Sequence, residues 1–469
     1  MHTRPLQSLA FLFLGALGVL CGETALAQDL TPRAKPQGKP VLITNATVHP
    51  IAEKAIENGF VLFAEGKISG LGMVGAMDLS KVQGSDGWRT IDAKGMHVYP
   101  GLIGAATQLG LEEMQSIRSS TDHTETGSVT PEVRAATAIN PDSTLLPVTR
   151  SAGELIAGVF PQGGAIPGRA SVIRLDGWTV ADMTIRENAG LVINWPMTRI
   201  ITAWWMNKSE DEQRKDNDRA IRIIEDMVSG AKAYAAASFA GEQRAADIRY
   251  EAMTGIFGYR QEGAGGRTGP DADRRLPVFI HAMDYDQIQQ AVTFCVKHGL
   301  KCVIVGGRDA PMCADLLTRH NASVIVSGTY KFPKRDDSPY DEAFTLPARL
   351  EAAGVKWCLA SGEETAHERN LAPAAGMAVA YGLDHEAGLR SITLSAAEIL
   401  GIADTYGSLA IDKSATLIIA DGDILDARTH VTAAFLDGRE VDLRDKQKML
   451  DERYREKYKL KGGPETVKP

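Results

Sequence analysis

Residues 98–110 read VYPGLIGAATQLG, an apolar run that ends in small and polar residues. A run of this kind is typical of a buried strand in a parallel sheet, whose carboxyl end faces a site. Comparable runs recur downstream and alternate with segments of helical spacing such as 288–298 and 310–319. These runs are GLVINW, LPVFIHA, KCVIVGG, ASVIVSG and VKWCLAS. The alternation predicts a barrel of parallel strands over residues 99–405.

The two ends of the chain have a different pattern of apolar and turn-forming residues. Residues 28–98 and 406–445 both alternate short apolar runs with Asn, Asp and Gly turns, which predicts antiparallel strands. Two strand-rich segments that flank one long middle segment favour a single β unit built from both ends. We therefore expect an α/β protein, with a TIM-like (β/α)8 barrel and a small composite β-sandwich domain.

Two regions do not follow the repeat. Residues 207–275 begin with a charged stretch in which Ile221, Ile224, Met227 and Ala231 recur at helical spacing. This predicts a helical insertion on one side of the barrel, followed by a loop rich in Gly, Arg and Asp. Residues 446–469 are predicted to be a polar C-terminal tail.

Residues 1–27 have the pattern of a signal peptide. Arg4 precedes an apolar stretch that is too short to span a bilayer, and the small residues Ala25 and Ala27 form a cleavage site. We expect cleavage after Ala27 and export to the periplasm or the medium. An uncleaved anchor is the alternative interpretation of the same pattern.

Composition narrows the range of partners. The chain of 469 residues is 44% hydrophobic and carries a formal net charge of −8, which offers no attraction for nucleic acid or, after signal cleavage, for a membrane. The mature chain has cysteines at positions 295, 302, 313 and 358 without a paired zinc spacing, which predicts buried free thiols.

Residues 98–110 also resemble the first barrel strand of the amidohydrolase superfamily, where the pattern is PGLID, a small residue and His-x-His. Residues 392–425, ITLSAAEILGIADTYGSLAIDKSATLIIADGDIL, are similar to the closing helix and the return to the β unit in that family. The resemblance covers nearly the whole mature chain and is closest to the imidazolonepropionase-like and secreted branches.

The resemblance implies a divalent metal site at the barrel mouth, but most of its ligands are missing. Ala106 and Gln108 stand at the positions of the two histidines, and Gly104 replaces the aspartate before them. His281 matches a family histidine, whereas Gly306 stands where the second one is common. The last strand ends in Ser361-Gly362, where the family has an aspartate. Alanine cannot bind a metal, and a glutamine oxygen is a weak ligand.

A relocated site is the alternative to a lost one. His281, Glu364 and His367 are the predicted catalytic residues, and His281 is the predicted metal ligand. Three further loop residues, His123, Glu125 and Glu363, are expected near the same mouth. A solvated polar loop is the plain interpretation of the loop residues, and hydrogen-bonded packing at a strand end is the plain interpretation of His281. Glu112 and Glu113 are interpreted as carboxylates at a helix start.

By resemblance, the protein is a hydrolase of C–N bonds other than peptide bonds. The alternative is a catalytically inactive barrel that binds a small ligand or a protein partner. No cofactor is expected unless a rearranged site binds zinc. The predicted partner is a small molecule at the barrel mouth, and a homo-oligomer is left open. The glycine-rich segment 161–168 lacks the lysine of a phosphate loop and is predicted to be a loop near the mouth.

Overall fold

The computed structural model of the protein describes residues 33–76, 87–242, 245–262, 266–268 and 271–459. The predicted signal peptide and the last ten residues of the predicted tail lie outside these ranges. Two eight-stranded sheets, one two-stranded sheet and the surrounding helices make up the regular secondary structure of the described residues.

The first sheet is the composite one and contains strands from both ends of the chain. Its early strands are β1 (Val41–Val48), β2 (Ile56–Ala64), β3 (Lys67–Met73), β4 (Arg89–Asp92) and β5 (His97–Pro100). Its late strands are β16 (Leu417–Ala420), β17 (Val431–Leu436) and β18 (Arg439–Glu440). The late strands join the early ones through the antiparallel pair of β16 and β5. The backbone N–H of Ala415 donates to the Gly66 carbonyl, so the residue before β3 is hydrogen-bonded to the segment before β16.

The second sheet forms the barrel. Its strands are β6 (Leu102–Thr107), β7 (Glu154–Val159), β8 (Gly168–Arg174), β9 (Thr184–Asn194), β12 (Pro277–Ala282), β13 (Lys301–Gly306), β14 (Ser323–Ser327) and β15 (Trp357–Ala360). They follow one another around the barrel in this order, and β15 returns to the neighbourhood of β6. The sheet is therefore a nearly closed barrel, as the alternation of apolar runs predicts.

The barrel departs from a regular eightfold repeat at one strand. β8 runs antiparallel to both of its neighbours, β7 and β9, whereas the other adjacent pairs in the sheet are parallel. The runs of β7 and β8 were not among the strands predicted from the sequence. Because a hairpin joins β7 to β8, no crossover helix is needed between them, and the strand-then-helix pattern fails there.

Helices surround the barrel and account for most of the remaining chain. They are α1 (Leu145–Arg150), α2 (Val180–Met183), α3 (Glu210–Phe239), α4 (Ile248–Met253), α5 (Tyr285–His298), α6 (Ala314–Arg319), α7 (Glu342–Ala352), α8 (Leu371–Ala380), α9 (His385–Ser391), α10 (Leu394–Leu400) and α11 (Lys446–Tyr458). In the described residues, no helix is long and apolar enough to cross a bilayer.

The predicted helical insertion contains the longest of these helices. α3 begins with a capping box in which Ser209 and Glu212 satisfy each other's backbone N–H groups. Its apolar stripe, which includes Ile224, Val228 and Ala231, packs into the main core. The glycine-rich segment that follows contains two short paired strands, β10 (Arg260–Glu262) and β11 (Gly266–Thr268). The predicted polar tail contains α11.

Apolar clusters divide the barrel into an interior and an outer layer. Ile103, Ile156, Phe279 and Val303 belong to an interior cluster to which all eight barrel strands contribute. The alternate strand residues pack outward on the helices in a larger cluster. Cys295, Cys302, Cys313 and Cys358 are buried free thiols, which confirms the prediction made for them.

Candidate functional site

The candidate site lies at the carboxyl ends of the parallel barrel strands, where loops following those strands surround the mouth. Ala106 and Gln108 lie two residues apart at the end of β6, and both are partly exposed. Ala106 packs at the edge of the interior cluster. The positions that resemble metal-ligand positions therefore face the mouth, but they present a methyl group and a neutral amide.

His281 stands on β12, where the sheet register pairs it with Asn194 of β9 and with Val305 of β13. Its ring lies edge-on to Phe160, with the ring centroids 6.4 Å apart. Burial lowers the pKa of His281 from its usual 6.5 to about 4. The imidazole is therefore neutral at physiological pH and suited to hydrogen bonding or metal binding through a ring nitrogen.

Glu364 and His367, the other two predicted catalytic residues, are both exposed. Glu364 precedes a short 3-10 helix, Thr365–Asn370, that contains His367. The backbone N–H of His367 donates to the Glu364 carbonyl over 2.7 Å, which is a turn contact between main-chain groups. In the described part of the chain, no three His, Cys, Asp or Glu side chains are grouped to hold a metal ion.

A different pair of residues joins the loops after the first and last barrel strands. His123 Nε2 lies 3.1 Å from Glu112 Oε2, and the Thr365 hydroxyl donates to Glu112 Oε1 over 3.4 Å. No helix begins at Glu112, contrary to the helix-start interpretation; its carboxylate is buried and orients the imidazole. Glu125, on the same long loop as His123, is exposed.

The glycine-rich segment 161–168 connects β7 with β8 and lies beside the same loops. Asn194, at the end of β9, donates through its side-chain amide to the Gly164 carbonyl over 2.8 Å. The backbone N–H of Gln162 donates to the His123 carbonyl over 2.7 Å. These contacts tie the loops after β6 and β7 to the end of β9.

Lys331, in the loop after β14, reaches the loop after β15. Its ammonium donates to the Gly362 carbonyl, and it lies 3.7 Å from Glu363 Oε1. Glu363 is thus engaged in an ion pair across neighbouring loops, which stabilises one side of the mouth.

Sequence reasoning missed two buried carboxyl groups, Glu154 and Glu368, which are each 1% exposed. The Ser361 hydroxyl donates to Glu368 Oε2 over 2.7 Å. Burial raises the pKa of Glu368 to about 7, and burial together with the nearby Glu368 carboxyl raises the pKa of Glu154 well above its usual value. For Glu154, the signal in the sequence was a glutamate directly before the apolar run LIAGVF, in SAGELIAGVF.

A separate cavity of about 850 Å³ lies on the composite sheet, away from the barrel mouth. Its lining includes Arg89, Glu440, Asp442 and Arg444. Arg89 pairs with Glu440 at 2.6 Å, and Arg444 pairs with Asp442 at 2.7 Å, so these four charges largely neutralise one another.

Comparisons with solved structures support the fold. An amidohydrolase from Thermotoga maritima MSB8 superposes with a TM-score of 0.71 and 22% identity, over 86% of this chain and 100% of that one. A prolidase complexed with N-methylphosphonate-L-proline gives a TM-score of 0.51 and 15% identity, over 86% of this chain and 100% of that one. No family model matches the chain. No curated protein matches it.

Proposed function

We propose that this protein, which has the fold of the amidohydrolases, binds a small organic molecule at its barrel mouth without the metal-dependent hydrolysis that the family resemblance implies. The observation that carries the proposal is the donor set at the end of β6. Ala106 offers no ligand and Gln108 offers only a neutral amide, so these positions do not fit a catalytic divalent metal.

The remaining groups at the mouth suit recognition of a ligand. The neutral His281, the Gln108 amide and the partly exposed Asn194 provide hydrogen-bond donors and acceptors above an apolar barrel interior. A few polar groups above an apolar floor are typical of small-molecule sites. A ligand with one flat apolar part and one or two amide or carbonyl groups matches this chemistry.

The second candidate is a hydrolase that acts on C–N bonds other than peptide bonds through a rearranged site. The His123–Glu112 pair supports this candidate, because a carboxylate that orients an imidazole is a common element of acid–base catalysis. His281 would be a further member of such a site, together with Glu364 and His367 if the loop after β15 moved on binding.

Metal content of the purified mature protein separates the proposed ligand-binding barrel from a hydrolase that uses a rearranged metal site. We expect no stoichiometric zinc in the wild-type protein after dialysis against zinc buffer, measured by elemental mass spectrometry. The Ala106→His/Gln108→His variant restores the His-x-His pair, and we expect it to gain zinc. That zinc should be lost again when His281→Ala is added, because His281 would be the third ligand.

The same measurement can contradict the proposal. Near-stoichiometric zinc in the wild-type protein that disappears in His281→Ala would favour the hydrolase, and amides, cyclic amides and lactones would then be screened as substrates. A His320→Ala variant is the matched control, since His320 follows α6 and is exposed. Its metal content should equal that of the wild type.

We also propose that the protein is exported and that residues 1–27 are removed. The support is the order of Arg4, an apolar stretch and the small residues at 25 and 27. Expression with the full leader should give a periplasmic or secreted product whose mass corresponds to a chain beginning at Gln28. An Ala27→Phe variant should retain the leader, and a wild-type product that still begins at Met1 would contradict cleavage.

A further inference from the structure

The barrel closes at a seam between its two edge strands, β6 and β15, which are the ends of the sheet order and not a paired ladder. On the β6 side, the backbone N–H of Ile103 donates to the Ile392 carbonyl over 2.9 Å instead of to β15. Side chains complete the closure. We define the seam by five residues, which are Gly104, Thr107, Glu154, Ser361 and Glu368.

Two carboxyl groups meet at Gly104. A Cβ atom built on Gly104 would lie 2.1 Å from Glu154 Oε1 and 3.0 Å from Glu368 Oε1. The sum of these distances, about 5.1 Å, is therefore the widest separation that the two oxygens can have. Glycine at this position leaves the space that both carboxyl groups occupy.

The seam has too few donors for two charged carboxylates. Both oxygens of Glu154 and Oε1 of Glu368 are buried without a hydrogen-bond partner. These three oxygens are closed to bulk solvent. The hydroxyls of Ser361 and Thr107 both serve Glu368. The backbone N–H of Gly104 lies near Glu154 and lowers its pKa by less than burial and the Glu368 carboxyl group raise it.

No cation compensates the pair among the residues that the structure describes around the seam. Arg150 of α1 is bound to Asp176, and His367 and Arg369 on the 3-10 helix are exposed. The remaining charged neighbour is Glu363, whose negative charge acts in the same direction as the pair. Two adjacent buried carboxylates without a compensating cation are strongly disfavoured.

We propose that Glu154 and Glu368 share one proton and that this proton locks the seam between the first and last strands of the barrel. The protonated carboxyl donates to the other across the space left by Gly104. Loss of the proton places two negative charges in the seam and separates β6 from the loop after β15. That loop contains Thr365, which bonds the Glu112–His123 pair, so opening the seam also loosens the barrel mouth.

The direction of the pH effect follows from the raised pKa values. A carboxyl group whose pKa is higher in the folded state stabilises the fold below its ordinary pKa of 4.5, and this stabilisation is lost as the pH rises through about 7. For one retained proton, the equilibrium constant of unfolding increases by up to about tenfold per pH unit in this window.

The test is the pH dependence of urea unfolding for the wild type, Glu154→Gln and Glu368→Gln. Either glutamine supplies an N–H donor to the remaining carboxylate without a proton that can be lost. We expect the wild type to lose stability between about pH 5 and 7 relative to both variants. Both variants should exceed the wild type in stability above about pH 7. The Glu210→Gln control, at an exposed position on α3, should follow the wild type at every pH.

Two measurements on the folded protein keep the proposal falsifiable if one variant folds poorly. The infrared spectrum at pH 6 should contain the carbonyl band of a buried protonated carboxylic acid, and this band should be absent from each glutamine variant. Amide hydrogen exchange of residues 102–107 should accelerate above about pH 7 more in the wild type than in Glu154→Gln. Absence of the band, together with parallel pH profiles of wild type and variants, would overturn the shared proton.

Discussion

At the residue scale, the missing side chain of Gly104 leaves the space in the seam that the Glu154 and Glu368 carboxyl groups occupy. Because an added Cβ would lie 2.1 Å from Glu154 Oε1, alanine here forces the carboxyl group out of its buried position. We expect Gly104→Ala to lower the free energy of unfolding by about 1–3 kcal/mol. Urea unfolding checks this, and Gly38→Ala, which has nothing within 4 Å of the new Cβ, should change it by less than about 0.5 kcal/mol.

A second substitution tests whether a collision with the Glu154 carboxyl group causes the loss of stability in Gly104→Ala. In a Glu154→Ala background, the Gly104→Ala change should cost clearly less, since the atoms it collides with are gone. An equal cost in both backgrounds would mean that the backbone of β6, and not the Glu154 carboxyl group, resists the alanine.

The buried ion pair of Arg150 and Asp176 is a second residue-scale feature. Each side chain is 1% exposed, and the two are 2.9 Å apart. Asp176→Asn removes the buried countercharge that lies against the Arg150 guanidinium, so we expect a loss of about 3–5 kcal/mol in the free energy of unfolding.

The matched comparison for this ion pair is the contact between Arg33 and the exposed Asp142. Asp142 is 79% exposed, and its contact with Arg33 is 2.6 Å long. Asp142→Asn should therefore cost less than about 1 kcal/mol. Similar losses for the two aspartates would show that burial is not what makes the Arg150 pair important.

At the scale of elements, the composite sheet has a cluster of stacked rings near the start of α9. His49, just after β1, stacks on Tyr99 of β5 at 4.2 Å, and its Nε2 lies 2.9 Å from Nδ1 of His97. Asp423 and His385, which begins α9, face the same rings and pair with each other at 2.8 Å. Burial and the neighbouring His97 lower the pKa of His49 to about 4.

This lowered pKa makes the contact sensitive to acid. Since the unfolded chain binds the His49 proton near pH 6.5 and the folded chain only near 4, stability is lost as the pH falls through that window. We expect up to about 1.4 kcal/mol per pH unit. Unfolding of His49→Phe should lack this part of the pH dependence. His430→Gln, whose side chain is 80% exposed, should retain it, and equal slopes for all three proteins would contradict the assignment.

Prediction from sequence worked well for elements with long local patterns. The run LPVFIHA forms β12, and residues 288–298, which have helical spacing, lie within α5. Both patterns were readable because the positions of apolar residues follow the face of an element that is buried. β7 and β8 were not predicted from the sequence. The glycine-rich segment 161–168, which joins them as a hairpin, was interpreted there as a loop. Their antiparallel pairing depends on neighbouring strands, which a local sequence pattern does not identify.

At the scale of the whole molecule, part of the composite sheet packs into the large apolar cluster that surrounds the barrel. Ile418 of β16 belongs to the same cluster as Leu155 of β7, and a Cβ on Gly153 would lie 2.9 Å from Ile418 Cδ1. We therefore expect a single cooperative transition in calorimetry. Ile418→Ala should lower the free energy of unfolding by about 2–5 kcal/mol without splitting that transition.

The control for this prediction is Ile411→Ala, because Ile411 is 59% exposed. It should change the free energy of unfolding by less than about 0.5 kcal/mol. Two separate transitions in Ile418→Ala would mean that the sheet and the barrel unfold independently in spite of the apolar cluster they share.

The sequence by itself determined the α/β barrel, its composite sheet and the burial of the cysteines at 295, 302, 313 and 358, because hydrophobic periodicity reports burial locally. It also determined that Ala106 and Gln108 stand where the resemblance places histidines, since this requires only the order of residues. Tertiary structure alone decided that Glu112 meets His123 and that Glu154 meets Glu368. The fold of one long loop brings Glu112 to His123, whereas Glu154 and Glu368 come from segments distant in the chain. The charge states of Glu154 and Glu368 depend on burial that exists only after the barrel has closed.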